Sequence, residues 1–335
     1  MLRRTRLLDV KGFLTVSVAI VLLRVDSTVA FSNNNVHVIP STGDALHPPM
    51  ILIGGMAQSK ASWEHQLPYL SKNRQVIVYE CIGQGKKNNV EGEDSPKNRN
   101  VSLEAQAKAL LETIQNMNGT NEIQTPVDLV GFSFGARVAM ATTTLLLTTE
   151  DANDSENSLS PSSWSSSMIR KLHLTGVATD RSDYGHLAVQ AWKECLQQDP
   201  SLRSFAWSIL MATYSSSFLR QQQQRSILDR YVDHISTHNS RDGLLALMEQ
   251  AEISDTTDPW HVVNMAERIQ SQSCRGRLCV GEFDQMAPVE YAKELSEKLD
   301  WGAPTIIPGC AHAVAVEGAR TWRKDVLEFL CDEST

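Results

Sequence analysis

The chain reads as an α/β fold: a mostly parallel central sheet covered by helices, with a helical cap inserted late in the sequence. Two observations predict it. Short runs of Val, Ile and Leu without polar alternation recur between segments of helical periodicity, and from Asp180 to about Ser273 the strand signal disappears into helical, Gln-rich sequence studded with aromatics. Strands that are apolar on both faces are buried on both faces, as in a parallel sheet sandwiched by helices. The 335 residues are 41% hydrophobic and 21% charged, enough apolar content for a sizeable core. A net charge of −8 argues against nucleic acid as the main partner, because phosphate binding needs concentrated Lys and Arg.

Residues 1–30 read as a signal or targeting segment. Arg3, Arg4, Arg6 and Lys11 precede an apolar stretch from Phe13 to Leu23, too short to span a bilayer, and Thr28-Val29-Ala30 offers small residues for cleavage. The competing reading is an N-terminal membrane anchor, which Arg24 and Asp26 would interrupt. Val29-Ala30-Phe31 resembles the two-part plastid presequences of algae with secondary plastids, although Ser32 to Pro49 lacks the expected basic residues. The expected route is secretory, ending in a plastid, an endomembrane lumen or the exterior, with no stable membrane span after processing. Residues 31–48 are expected to be a disordered or transit linker.

The core is expected at residues 49–179 and 274–331. Met50–Ile53 is a buried strand ending in Gly54-Gly55, and Gln75–Tyr79 is a second, closed by Gly83-Gln84-Gly85. Ala61 to Leu70 suits a helix or an irregular connection. Leu103, Ala107, Leu110, Leu111 and Ile114 recur at helical spacing. Val127–Val130 is a strand, followed at once by Gly131-Phe132-Ser133-Phe134-Gly135 and an apolar helix to about Leu147. Residues 150–167 form a Ser-rich surface insertion. Ile169–Val177 restores the strand signal, residues 180–273 make the helical cap, and Arg277–Val280 and Pro304–Ile307 are the last strands before a closing helix, Arg320 to Leu330. Cys81, Cys195, Cys274, Cys279, Cys310 and Cys331 make no regular framework, and a chain this long needs no disulfide to be stable, so whether any pair is oxidised is left open. The Cys274–Cys279 spacing suits no zinc site, and no metal is expected.

The chemistry centres on G-x-S-x-G between a strand and a helix. At such a turn Ser133 must take a strained backbone conformation, and Gly131 and Gly135 remove the side chains that would collide there. A serine hydroxyl needs a base to remove its proton. His312, in the loop after Pro304–Ile307, is the expected base, and Asp284, in the loop after Arg277–Val280, is the acid that would orient it. Glu282 is the rival acid; His65, Asp180 and His186 are expected to be structural or cap residues. Backbone N–H groups of Met56 and Phe134 are the expected oxyanion donors. Phe132 and Trp63 are expected to line an apolar substrate pocket with Phe134, while cap aromatics such as Trp207 and Tyr214 suit cap packing as well as substrate contact.

From Pro49 to Leu330 the chain resembles the α/β-hydrolase fold superfamily in its capped form. The pieces that carry the resemblance are Gly54–Trp63, Val76–Gly85, Val130–Met140, Gly281–Asp284 and Cys310–His312. It departs from the family in having Gly54-Gly55 where His-Gly is usual, and Glu80-Cys81 before the glycine turn. The order Ser133, Asp284, His312 is the family's order of nucleophile, acid and base. The resemblance implies a serine hydrolase that cleaves an ester or thioester of a small to medium, largely apolar substrate through an acyl-enzyme, without a cofactor. The elbow is also similar to that of the menaquinone-pathway succinyl-hydroxy-cyclohexadiene-carboxylate synthases. There an Arg four residues after the Ser helps bind a carboxylate, which implies that role for Arg137 and a pyruvate elimination as the alternative chemistry. A third alternative is a ligand-binding receptor that keeps the triad. The expected partner is a small-molecule substrate; the oligomeric state is left open.

Overall fold

An apolar run such as Met50–Ile53 sends alternate side chains to opposite faces of a sheet, so both faces need a cover. The computed structural model, which describes residues 35–85, 100–153, 164–272 and 274–333, shows what covers them. Seven strands among the described residues form one sheet in the order β1-β3-β2-β4-β5-β6-β7. They are β1 (Val36–Ile39), β2 (Met50–Ile53), β3 (Val76–Tyr79), β4 (Val127–Phe132), β5 (Ile169–Thr175), β6 (Arg275–Gly281) and β7 (Thr305–Ile307). All neighbours pair in parallel except β1, which runs antiparallel to β3.

Ile51 and Ile53 of β2 face a layer built by α2 (Leu103–Gly119) and α3 (Phe134–Asn153). Met50 and Leu52 face the opposite layer, where α1 (Leu67–Leu70), α11 (Val314–Glu317) and α12 (Ala319–Cys331) supply Leu70, Val314, Trp322 and Phe329. At the N-terminal end of the sheet the buried carboxylate of Asp128 accepts from Arg74 at 2.8 Å and from Arg170 at 2.6 and 2.8 Å. That clamp lies at the opposite end of β4 from Ser133 and holds three parts of the core together.

The cap comprises α4 (Asp183–Gln198), α5 (Arg203–Thr213), α6 (Ser216–Arg220), α7 (Gln222–His238) and α8 (Arg241–Gln250). Serines 182, 215 and 240 cap α4, α6 and α8 by accepting the N–H three residues on. Trp192, Phe205, Ile209, Leu210, Val232 and Leu244 form its own apolar centre, which also takes in Ala57, Met286 and Ala313 from the core. The described residues consequently make one compact unit.

Three expectations are corrected. Residues 31–48 are not wholly a linker, since β1 adds an edge strand at 36–39, its Val36 and Val38 packed on the core. Helix α3 runs to Asn153, into the stretch 150–167 expected to be an insertion; the middle of that stretch lies outside the described residues. The cap ends before residue 273, because α9 (Val262–Ser271) puts Met265, Ala266 and Ile269 into the core layer beside α3 and α10 (Val289–Leu299). The expected targeting segment, residues 1–30, lies outside the described residues. No helix among the described residues is long and apolar enough to cross a membrane.

Candidate active site

β4 ends at Phe132 and α3 begins at Phe134, leaving Ser133 alone to make the turn with φ +54°. Its N–H donates to the Thr175 carbonyl at 2.7 Å, and its own carbonyl accepts from Ala136 and Arg137. A Cβ on Gly131 would stand 2.5 Å from Ala136 Cα, and one on Gly135 would stand 2.2 Å from the Ile53 carbonyl oxygen. The turn therefore fits only with glycine at both places, which leaves the Ser133 hydroxyl pointing off the C-terminal edge of the sheet.

His312 reaches that hydroxyl. Its Nε2 is 2.8 Å from Ser133 Oγ, and its Nδ1 is 2.8 Å from Asp284 Oδ2. The other oxygen of Asp284 accepts the N–H groups of Met286 and Ala287, both at 2.9 Å, so the carboxylate has no freedom to turn away. Asp284 and His312 are each 5% exposed. With Nδ1–H donated to the carboxylate, Nε2 keeps its lone pair for the serine proton. The rival acid Glu282 does different work: its side chain accepts from the Gly309 N–H at 2.8 Å and braces the histidine loop from outside. Gly176, with φ +65°, makes room for the imidazole, since a Cβ there would lie 2.9 Å from His312 Cε1.

The loop after β2 lies against this turn: a Cβ on Gly55 would be 3.1 Å from Ser133 Cβ. Met56 and Phe134 both line the cavity beside Ser133 and His312, and among the described residues neither main-chain N–H has a hydrogen-bond acceptor. Gln58 ties the loop by accepting from the Gly55 N–H at 2.7 Å, and Gln58 N–H donates back to the Gly55 carbonyl at 3.1 Å.

The cavity between cap and core holds about 170 Å³ and is mostly apolar, with Val177, Val189, Ile209, Leu210, Tyr214 and Met248 in its walls. Phe132 and Arg137 line it. Trp63 does not: it is buried on the other face of the sheet, its ring 5.9 Å from Trp322. One wall is charged. Arg181 pairs with Glu252, and Arg137 Nη1 stands 4.0 Å from the same carboxylate. Burial, with Arg181 close by, lowers Arg137 to about 10, and its Nε has no partner. His186 and Asp180 pair at 3.2 Å on the surface, both well exposed. Among the described residues no cluster of His, Cys, Asp and Glu suits a metal, and all six cysteines are free.

Sequence reasoning missed Gly176, Gln58 and the cap residue Asn239, whose side chain meets this loop. Only Gly176 carried a signal, as a glycine directly after a strand.

Residues 50–323 match the alpha/beta hydrolase family. No curated protein sequence matches the chain. Among solved structures, an alpha/beta hydrolase enzyme from a Medee basin deep-sea metagenome library superposes with a TM-score of 0.68 at 18% identity, over 90% of this chain and 94% of its own. The enol-lactonase from Burkholderia xenovorans LB400 gives a TM-score of 0.65 at 16% identity, over 90% and 98%. A thermophilic esterase from Thermogutta terrifontis gives 0.64 at 16%, over 88% and 92%. At such identities the likeness is one of fold.

Proposed function

The chain belongs to the alpha/beta hydrolase family, and on that premise we propose that it is a serine hydrolase of small, largely apolar esters or thioesters. One observation carries the reading: Ser133, His312 and Asp284 form an unbroken hydrogen-bonded chain whose hydroxyl end opens into an apolar cavity. His312 takes the Ser133 proton as the oxygen attacks the substrate carbonyl. The Met56 and Phe134 N–H groups receive the developing oxyanion. His312 then returns the proton to the leaving alcohol or thiol, and water, deprotonated by the same imidazole, releases the acid. A cavity of about 170 Å³ is close to the ~150 Å³ that admits benzene in an engineered core, which favours a compact acyl group.

The buried Arg137, a cation in the wall of an otherwise mostly apolar cavity, favours a second reading, in which the substrate carries a carboxylate and the same three side chains start an elimination. The test is fluorophosphonate labelling followed by turnover of a panel of acetyl to octanoyl p-nitrophenyl esters, matching thioesters and a carboxylated substrate. Ser133→Ala is expected to abolish labelling and lower kcat by about 10⁴-fold or more. Labelling that survives in Ser133→Ala would place the nucleophile elsewhere. Turnover confined to the carboxylated substrate and lost in Arg137→Ala would select the second reading.

A further inference from the structure

Asn239 follows the last turn of α7 and is 4% exposed. Its Nδ2 donates to the Ala57 carbonyl at 3.0 Å and to the Ile235 carbonyl at 3.2 Å, and its Oδ1 accepts from the Gly85 N–H at 3.4 Å. One cap side chain thus bridges two core loops, each following a strand at the C-terminal edge of the sheet.

Ala57 is where the loop needs holding. It has φ +63°, a left-handed conformation that a residue with a Cβ rarely adopts. It is the third residue of the four-residue turn closed by Gln58 N–H on the Gly55 carbonyl, and Met56 is the second. A positive φ at the third position fixes the plane of the central Met56–Ala57 peptide, which adjoins the Gly55–Met56 peptide that carries the Met56 N–H. Within the loop, Gln58 secures only the Gly55 N–H and carbonyl. The Ala57 carbonyl is secured by Asn239, from a residue 182 positions away.

We propose that Asn239 is a positioning residue for the oxyanion loop: by holding the Ala57 carbonyl it keeps the Met56 N–H aimed at the reacting carbonyl, so that cap seating and transition-state stabilisation are coupled. The proposal rests on the hydrolase reading above. It differs from a packing role in what it alters. A misaimed oxyanion donor weakens the transition state and leaves ground-state binding in the apolar cavity intact.

The test uses the full chain, a p-nitrophenyl butyrate assay and inhibition by phenylboronic acid, which mimics the tetrahedral intermediate. Asn239→Asp is isosteric and keeps an acceptor for Gly85 but has no N–H for Ala57; Asn239→Ala removes both contacts. Each is expected to lower kcat by about 10- to 100-fold with KM within about twofold, and to weaken phenylboronic acid by a comparable factor. Ser240→Ala supplies the control, because it removes the cap of α8 at the same seam without touching the loop after β2, and it should lower Tm but keep kcat. Unchanged kcat in folded Asn239→Asp, a change in KM alone, or an equal loss of kcat in Ser240→Ala would overturn the proposal. Absence of labelling and ester turnover in the unmutated chain would instead sink the hydrolase reading, before any Asn239 variant is compared, and the proposal with it.

Discussion

At Ser133, backbone conformation and chemistry are one problem. A left-handed residue between a strand and a helix exposes its side chain, and the cost of about 1–2 kcal/mol is offset by the packing on either side. The price falls on Gly135, which sits against the carbonyls of Ile53 and Gly54 at 2.2 and 2.6 Å from where a Cβ would be. Both neighbours are main chain and cannot swing aside. Gly135→Ala is therefore expected to push α3 off β2, destabilise the fold by about 1–3 kcal/mol and lower kcat as Ser133 moves, measured by urea unfolding and ester turnover. Unaltered stability and turnover would mean that the helix start has slack which these distances deny.

Helix α8 shows the same conflict between local preference and packing on the scale of an element. Gly243 lies in its first turn, and alanine there would favour the isolated helix by about 1 kcal/mol. Its Cβ, however, would meet the Gly83 carbonyl at 2.2 Å, in a turn where Gly83 already has φ +90°. Overpacking costs about 1–3 kcal/mol, so the clash should outweigh the propensity gain. Gly243→Ala is expected to lower Tm by a few degrees; a higher Tm would show that α8 can lift without loss. The glycine lets the cap sit main chain to main chain on the β3 turn, next to the Asn239 contact.

Across the whole molecule the cap is held over the site by polar contacts as well as apolar ones. His234 on α7 sets its Nε2 2.7 Å from Ser59 Oγ and 3.3 Å from Ser62 Oγ, in the segment that follows the oxyanion loop. Burial, with the stacked His238 ring beside it, lowers His234 to about 4 from an ordinary 6.5. Above pH 6.5 the imidazole is neutral in the folded and unfolded chain alike, so its full contribution is present. Between pH 6.5 and about 4 the unfolded chain takes a proton that the folded chain refuses, and stability falls with pH across that window. Tm measured from pH 7 to 4 should therefore drop more steeply in the unmutated chain than in His234→Gln. Parallel curves would assign the acid sensitivity to other groups.

What could be read from the residues in order was whatever depends on near neighbours. Apolar runs of four residues name β2 and β3, and Val127 with Leu129 and Val130 names β4 despite Asp128, because burial on both faces leaves no alternation to obscure. Gly131, Ser133 and Gly135 name a turn because the crowding they relieve lies within a few residues and one neighbouring strand. β1 escaped because a short edge strand, only partly buried, carries no such run. Trp63 was misplaced because its hydrophobicity specifies burial but not which face of the sheet receives it, and α9 because its apolar stripe suits a cap layer as well as a core layer. Asn239 was silent for the same reason at greater range: an amide side chain states what it can bond, and only the folded chain brings the Ala57 carbonyl to it. The amino-acid order determined the parallel sheet, its sharp turn and the residues available for chemistry, since these follow from local sterics and periodicity. The tertiary structure decided which face, which layer and which distant partner, since those depend on how elements far apart in the chain come to share a surface.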